Sequence, residues 1–216
     1  MELDDLADII RSRRSIRLWQ DKEVPESLLL QAIELATWAP NGGNKQNWHF
    51  YIILSRNIIK AIADAVQTRA DQIASWPEAQ RLDEATRKLQ RSGLFRNAPA
   101  AIAVAAAQYQ SEVDLILAAR EKIDSQAAQI RQWRNICDTR IQSVSSAIAY
   151  LLLVLHQIGL GAVWMTGPMQ AKEEIEKILN VPPDTDVIAF IPIGYPDESP
   201  VPRKRRPLNE VYEVTR

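Results

Sequence analysis

The sequence predicts an α+β fold. Strand candidates are few and far apart, at 48–54, 99–106 and 187–193, and long helix-prone stretches separate them. Regular βαβα alternation is missing, which argues against a doubly wound parallel sheet.

The elements follow in order. Leu3, Leu6, Ile9 and Ile10 recur at helical spacing, so 3–12 reads as a helix. Pro25 suits the start of a second helix, with Leu28, Leu29, Ala32, Ile33 and Ala36 on its apolar face and an end near Ala39-Pro40. Asn41-Gly42-Gly43-Asn44 is a loop. Trp48 to Leu54 is aromatic and β-branched, hence a strand. Residues 57–92 are polar and helix-prone, with a break at Trp76-Pro77. Pro99 to Ala106 is a second strand despite its alanines. Residues 110–157 read as one long helix or two, and 141–158 is apolar enough to be central. Gly159-Leu160-Gly161 ends it, Ala162 to Met165 forms a short strand, and Gln170 to Leu179 forms an amphipathic helix. Val187 to Ile193 is the last strand, before a Pro-rich, basic tail. Nothing marks a linker, so one domain over 1–216 is expected.

Composition narrows the function. Hydrophobic residues make up 46% and charged residues 25%, which excludes disorder, and a net charge of -1 gives no global pull toward nucleic acid or anionic membrane. Cys137 is the single cysteine, which leaves no intramolecular disulfide and no multi-cysteine metal site. The N-terminus lacks an apolar signal segment, and the longest apolar run, Ala147–Leu155, is about half of what a bilayer span of roughly 20 residues needs. A cytoplasmic protein is expected. His49, in a strand, and His156, on the apolar helix, read as packed structural residues. No Gly-x-Ser-x-Gly elbow or phosphate loop is present, and Trp164 stands where a dinucleotide fingerprint needs its third glycine. No metal site and no side-chain catalyst is indicated, so a cofactor would carry any chemistry.

Two basic clusters stand out: Arg11, Arg13, Arg14, Arg17 and Lys22 near the start, and Arg203, Lys204, Arg205 and Arg206 near the end. Plain solvated patches are the ordinary explanation. A nucleic-acid surface is disfavoured by the neutral whole and the lack of interleaved aromatics. The sharper explanation is one phosphate held by both clusters, because the arginine fork binds phosphate oxygens bidentately and Ser15 can add a hydroxyl. Asn44 and Gln46 add amides suited to a heterocycle edge, although an Asn-rich turn alone is common. Aromatics usually bury area, so Trp38 and Trp48 read as core.

Four segments together resemble the FMN-dependent nitroreductase family. They are Arg13-Arg14-Ser15-Ile16-Arg17 with Val24-Pro25; Ala36 to Trp48 through Pro40-Asn41-Gly42-Gly43-Asn44; Gly159-Leu160-Gly161-Ala162-Val163-Trp164; and Ile193-Gly194-Tyr195-Pro196 with the tail Pro202 to Leu208. The resemblance implies a central, mostly antiparallel sheet wrapped by helices, and an intertwined homodimer with its C-terminal tail exchanged. It implies bound FMN at the dimer interface, with NAD(P)H as co-substrate. Arg13, Arg14, Ser15 and Arg17, with Arg203 and Arg205, would hold the FMN phosphate and ribityl chain. Pro40, Asn41, Asn44 and Gln46 would reach the flavin from the partner. Trp164, Met165, Thr166 and Gly167 would line the other ring face. Asn41, Asn47 and Asn180 depart from the family's usual serine, proline and glycine. The middle, 64–98 and 108–140, is where the family builds its substrate lid. The expected activity passes electrons from NAD(P)H through flavin to a nitroaromatic, quinone or similar small-molecule acceptor. The alternatives are a specialised member (reductive dehalogenation, flavin fragmentation or ring oxidation), a flavin-binding protein without turnover, and a basic-tailed nucleic-acid module.

Overall fold

The computed structural model describes residues 3–83, 88, 89 and 91–216. Four antiparallel strands form one sheet in the order β1-β2-β4-β3: β1 Trp48–Ile53, β2 Ala100–Ala107, β3 Gly161–Ala162 and β4 Thr185–Gly194. Among the described residues, seven α-helices surround it: α1 Leu3–Ser12, α2 Glu26–Ala36, α3 Arg56–Ala74, α4 Glu112–Arg120, α5 Ser125–Ile136, α6 Thr139–Gln157 and α7 Lys172–Leu179. The α+β expectation and the central antiparallel sheet both hold.

Period-two alternation divides β2 between two cores. Ala100, Ile102, Val104 and Ala106 face one cluster with Leu29 of α2 and Val144, Ile148, Leu151 and Leu155 of α6. Ala101, Ala103 and Ala105 face the other, with Ile59, Ile62 and Val66 of α3 and Ile175 of α7. The alanines that weaken β2 by propensity therefore let helices approach both faces of a central strand. A bulge between Val104 and Ala105 shifts the register against β4.

Three boundaries differ from the sequence reading. The stretch 110–157 makes three helices rather than one or two, because side-chain caps restart the chain three times. Ser111 and Asp114 form a capping box, Asp124 accepts from the N–H groups of Gln126 and Ala127, and Asp138 accepts from that of Ile141. Helix α2 stops at Ala36, ahead of Ala39-Pro40, as the N–H groups of Trp38 and Ala39 tighten onto the carbonyls of Leu35 and Ala36. The strand expected over 162–165 pairs only at Gly161–Ala162, and Met165 adds an isolated bridge to Phe190. The break at Trp76-Pro77 follows the end of α3, while 84–87 and 90 of the helix-prone stretch lie outside the described residues.

Two helix ends bear on the site. Gly159 has φ +82°, and the N–H of Leu160 reaches the Leu155 carbonyl at 2.8 Å, closing α6 with a left-handed cap. Asn180, in place of the family's usual glycine, does the same for α7 at φ 52°, with the Val181 N–H on the Glu176 carbonyl at 2.9 Å.

A charge network ties α6, α7 and β4 together. Asp186 receives Arg140 at 2.5 Å and Lys172 at 2.9 Å, and Lys172 also meets Glu176 at 2.7 Å. The Lys172 hydrogen bond, with Arg140 adding to it and burial opposing, holds the Asp186 carboxyl below the usual carboxylate range. A depressed carboxylate stabilises the fold above its unfolded pKa of about 3.9, and that contribution is lost as pH falls through the lower folded value. Asp186→Asn should therefore cost about 1–2 kcal/mol near neutral pH, the scale of a charged hydrogen bond in a partly exposed setting. The gap to wild type should narrow as pH falls below about 3.9, where the unfolded carboxyl takes up its proton. Urea unfolding midpoints between pH 7 and 3 check this, and a gap independent of pH contradicts it.

Candidate functional site

The first basic segment leaves α1 and runs along the short edge strand. Ser15 bridges Ala162, and the Ile16 N–H donates to the Ala162 carbonyl at 3.1 Å. Gly161 allows this close approach: a Cβ there would lie 2.7–2.8 Å from three side-chain carbons of Ile16. Trp19 fixes the far end by donating its indole N–H to the Gly161 carbonyl at 2.9 Å.

Arg14 and Arg205 both act on Arg13. Burial pulls the Arg13 guanidinium below the usual arginine range, and the positive charges of Arg14 and then Arg205 push the same way. The basic tail therefore comes close enough for Arg205 to act on Arg13 within one protomer. None of these three arginines forms an ion pair with a carboxylate among the described residues. Arg14 donates instead to the carbonyls of Arg11 at 2.6 Å and Arg13 at 2.7 Å. Arg17 is exposed, and its guanidinium reaches the Ser15 carbonyl at 3.4 Å. Arg203 lies exposed on the tail.

His156, at the end of α6, stands beneath this cluster. The Ser12 hydroxyl donates to the Asp8 carbonyl at 2.6 Å, so its oxygen accepts from the His156 Nε2–H, 2.8 Å away. Burial, and then the positive charges of Arg13 and Arg14, lower the His156 pKa from its ordinary value. The pair ties the end of α1 to the end of α6. His49 is not packed: it is exposed on β1, with its ring 4.6 Å from that of Tyr51.

Beyond β3, Met165 exchanges backbone hydrogen bonds with Phe190 at 3.0 and 2.9 Å, which presents Trp164, Thr166 and Gly167 along the same edge. Trp164 is 36% exposed. The N–H groups of Thr166 and Gly167 have no partner among the described residues, and a Cβ on Gly167 would meet nothing within 4 Å. Two unpaired backbone donors therefore sit on exposed residues at the end of the edge along which the basic segment runs.

The loop after Pro40 sits elsewhere. Its Gly42 N–H donates to Ser143 Oγ at 3.1 Å, and Ser146 donates to the Pro40 carbonyl at 2.7 Å, so it rests on the first half of α6. The Gln46 N–H closes it onto Asn41 Oδ1 at 3.0 Å. Asn44 and Gln46 both adopt positive φ, 52° and 47°, strain of a kind that concentrates at ligand sites. The Asn47 amide nitrogen is buried without a partner among the described residues. Ser143 and His156 are thirteen residues apart on one helix, so loop and arginine cluster are separated by about 20 Å. One protomer does not bring them together. Trp38, read as core, is 77% exposed and donates to Glu34 at 3.1 Å.

The nitroreductase family model matches residues 10–195. The chain belongs to the nitroreductase family. It is 30% identical over 206 residues to an NADH dehydrogenase of Thermus thermophilus, covering 92% of this chain and 90% of that one. It is 28% identical over 209 residues to an iodotyrosine deiodinase of Thermotoga neapolitana, covering 95% of each. A BluB-like flavoprotein of Clostridium difficile superposes with a TM-score of 0.84 at 25% identity, over the whole of both chains. The protein shares the flavin-dependent redox chemistry of this superfamily, and membership implies FMN binding and NAD(P)H use. The donor set fits that group: guanidinium groups without acidic partners suit a phosphate, and unpaired N–H groups at an open edge suit the polar rim of a flavin ring.

Sequence reasoning missed Ser12, Trp19, Ser143, Ser146 and Glu198, which hold the site's backbone. No motif spacing marks them, because each acts on a segment distant in sequence. Among the described residues no helix is long and apolar enough to cross a membrane, and no His/Cys/Asp/Glu group could hold a metal ion.

Proposed function

We propose that the chain is an FMN-dependent oxidoreductase that passes electrons from NAD(P)H to a nitroaromatic, quinone or similar conjugated acceptor, acting as a homodimer. The observation that carries this is the segment 13–17, whose Arg13 and Arg14 have no acidic partner among the described residues, running along the same sheet edge that leads to the unpaired N–H groups of Thr166 and Gly167. Bound FMN supplies a ring that accepts hydride from one substrate and donates electrons to another.

The protein's share is binding and orientation. Arg13, Arg14 and Arg205, with Ser15, Arg17 and Arg203 around them, hold the phosphate and ribityl chain. Met165 anchors the edge on which Trp164 and the donors of Thr166 and Gly167 meet the ring, where those N–H groups stabilise negative charge as it develops. Pro40, Asn41, Asn44 and Gln46 come from the partner subunit. The separation of about 20 Å along α6 supports this, because two antiparallel copies of α6 would set one protomer's loop beside the other's arginines. Exposed apolar residues on α1 (Leu3, Leu6, Ile10), Trp38 after α2, and Leu208, Val211 and Tyr212 of the tail supply surface for that interface. No side-chain acid or nucleophile is required.

Donor and acceptor use one face in turn, so the kinetics are ping-pong. The test is NAD(P)H oxidation with a nitroaromatic under anaerobic conditions. Stoichiometric oxidation with parallel double-reciprocal lines is expected, and no oxidation with either NADH or NADPH overturns the proposal. The likenesses to a deiodinase and to a BluB-like flavoprotein support one competing reading, a specialised member. Turnover of a halogenated phenol, or oxygen-dependent loss of the flavin itself, without nitroaromatic turnover would select it.

A further inference from the structure

The basic tail is useful only if it arrives at Arg13, and its root is held by a set of hydrogen bonds. After β4 the chain pairs with the segment that follows Arg17. The Gln20 N–H donates to the Tyr195 carbonyl at 2.9 Å, the Gln20 side chain to the Pro196 carbonyl at 2.9 Å, and the Asp197 N–H to the Leu18 carbonyl at 3.0 Å. Trp19 bridges Pro196 in the same ladder. At the next residue Glu198, half-buried, accepts from two successive backbone donors: the N–H of Arg17 and, at 3.1 Å, that of Leu18.

This contact is the last fixed point before the arginines. From Glu198 to Arg205 the chain passes Pro200 and Pro202, and residues 201–216 are all exposed. A Pro-rich segment is semi-rigid, so the direction in which it leaves its anchor decides where its end arrives. Glu198 grips the end of the segment that carries Arg13, Arg14 and Arg17, so the origin of the tail and its target are fixed to each other. A carboxylate accepting two backbone N–H groups is also a stronger clamp than neutral contacts.

We infer that Glu198 is a positioning residue for the cofactor phosphate: it latches the tail root to residues 17–18 and thereby delivers Arg203 and Arg205 to Arg13. This rests on the reading that the arginines hold FMN. Glu198 itself touches no ligand, since its carboxylate is engaged with its own chain and bears the wrong charge for a phosphate.

The test measures FMN affinity by quenching of flavin fluorescence, with trypsin cleavage of the apo tail as a second readout. Glu198→Ala should weaken FMN binding about tenfold, expose Arg203–Arg206 to faster cleavage, and leave the melting temperature of the apo protein within a degree or two. Glu198→Gln, which keeps an accepting oxygen, should recover most of the affinity. In an Arg203→Ala/Arg205→Ala background, Glu198→Ala should change affinity less than twofold. An undiminished affinity in Glu198→Ala overturns the inference. So does an equal loss in both backgrounds, which would mean that Glu198 acts on residues 13–17 and not through the tail. Failure of the flavin reading shows separately, as a wild-type protein that does not quench FMN.

Discussion

Arg13→Ala combined with Arg205→Ala is expected to leave a folded protein that no longer retains FMN. A charged hydrogen bond of this kind is worth about 1.5–3 kcal/mol, so each loss should weaken binding roughly ten- to a hundredfold. The pair together should exceed a hundredfold. Stability should not suffer. Arg205 is exposed, Arg13 has no ion-pair partner among the described residues, and removing both relieves repulsion on Arg14. An apo melting temperature unchanged or slightly raised, beside a flavin titration that no longer saturates at micromolar concentrations, is the expected pair of results. Full flavin occupancy in the double variant would sink the assignment of the phosphate site.

Gly161→Ala should act through the fold. The added methyl would press on Cβ, Cγ1 and Cγ2 of Ile16, which is buried and tethered by its N–H to the Ala162 carbonyl. No flexible side-chain end is available to yield, so the segment 13–17 must move off the sheet edge. Overpacking of this kind costs about 1–3 kcal/mol. Because the displaced segment carries Arg13 and Arg14, FMN affinity should fall with stability. Gly167→Ala is the control for stability, since its Cβ enters open space. Urea unfolding of the two apo variants should separate them clearly. Equal midpoints would mean that the edge accommodates the methyl and that the close approach is not a constraint.

Much of this architecture was legible in the sequence because it is written in local periodicity. The strand residues Phe50 and Ile191 and the α6 stripe from Val144 to Leu155 declare themselves by spacing. The breaks within 110–157 were legible in principle. Ser111, Asp124 and Asp138 are ordinary N-cap residues, but a search for Gly and Pro passes over helix starts made by side chains. Trp38 was misread for a different reason. A tryptophan at the end of an apolar helix face suggests core, and only the third dimension shows it facing outward. The candidate site divides likewise. Two arginine clusters at opposite ends of the chain suggest one anion, and Arg205 acts on Arg13 in the fold. The latch at Glu198 and the hydroxyls of Ser143 and Ser146 could not be read in advance, because each acts on backbone groups over a hundred residues away.

The central claim is that these residues build a site for a reducible flavin. The most direct test is the visible absorption spectrum of the purified protein, supplied with FMN if it emerges colourless, followed by anaerobic addition of NADH and then NADPH. Flavin bands that remain with the protein through gel filtration and bleach on addition of either nucleotide are the predicted result. A protein that stays colourless after incubation with excess FMN would contradict the claim, and the arginine cluster would then belong to a different anion.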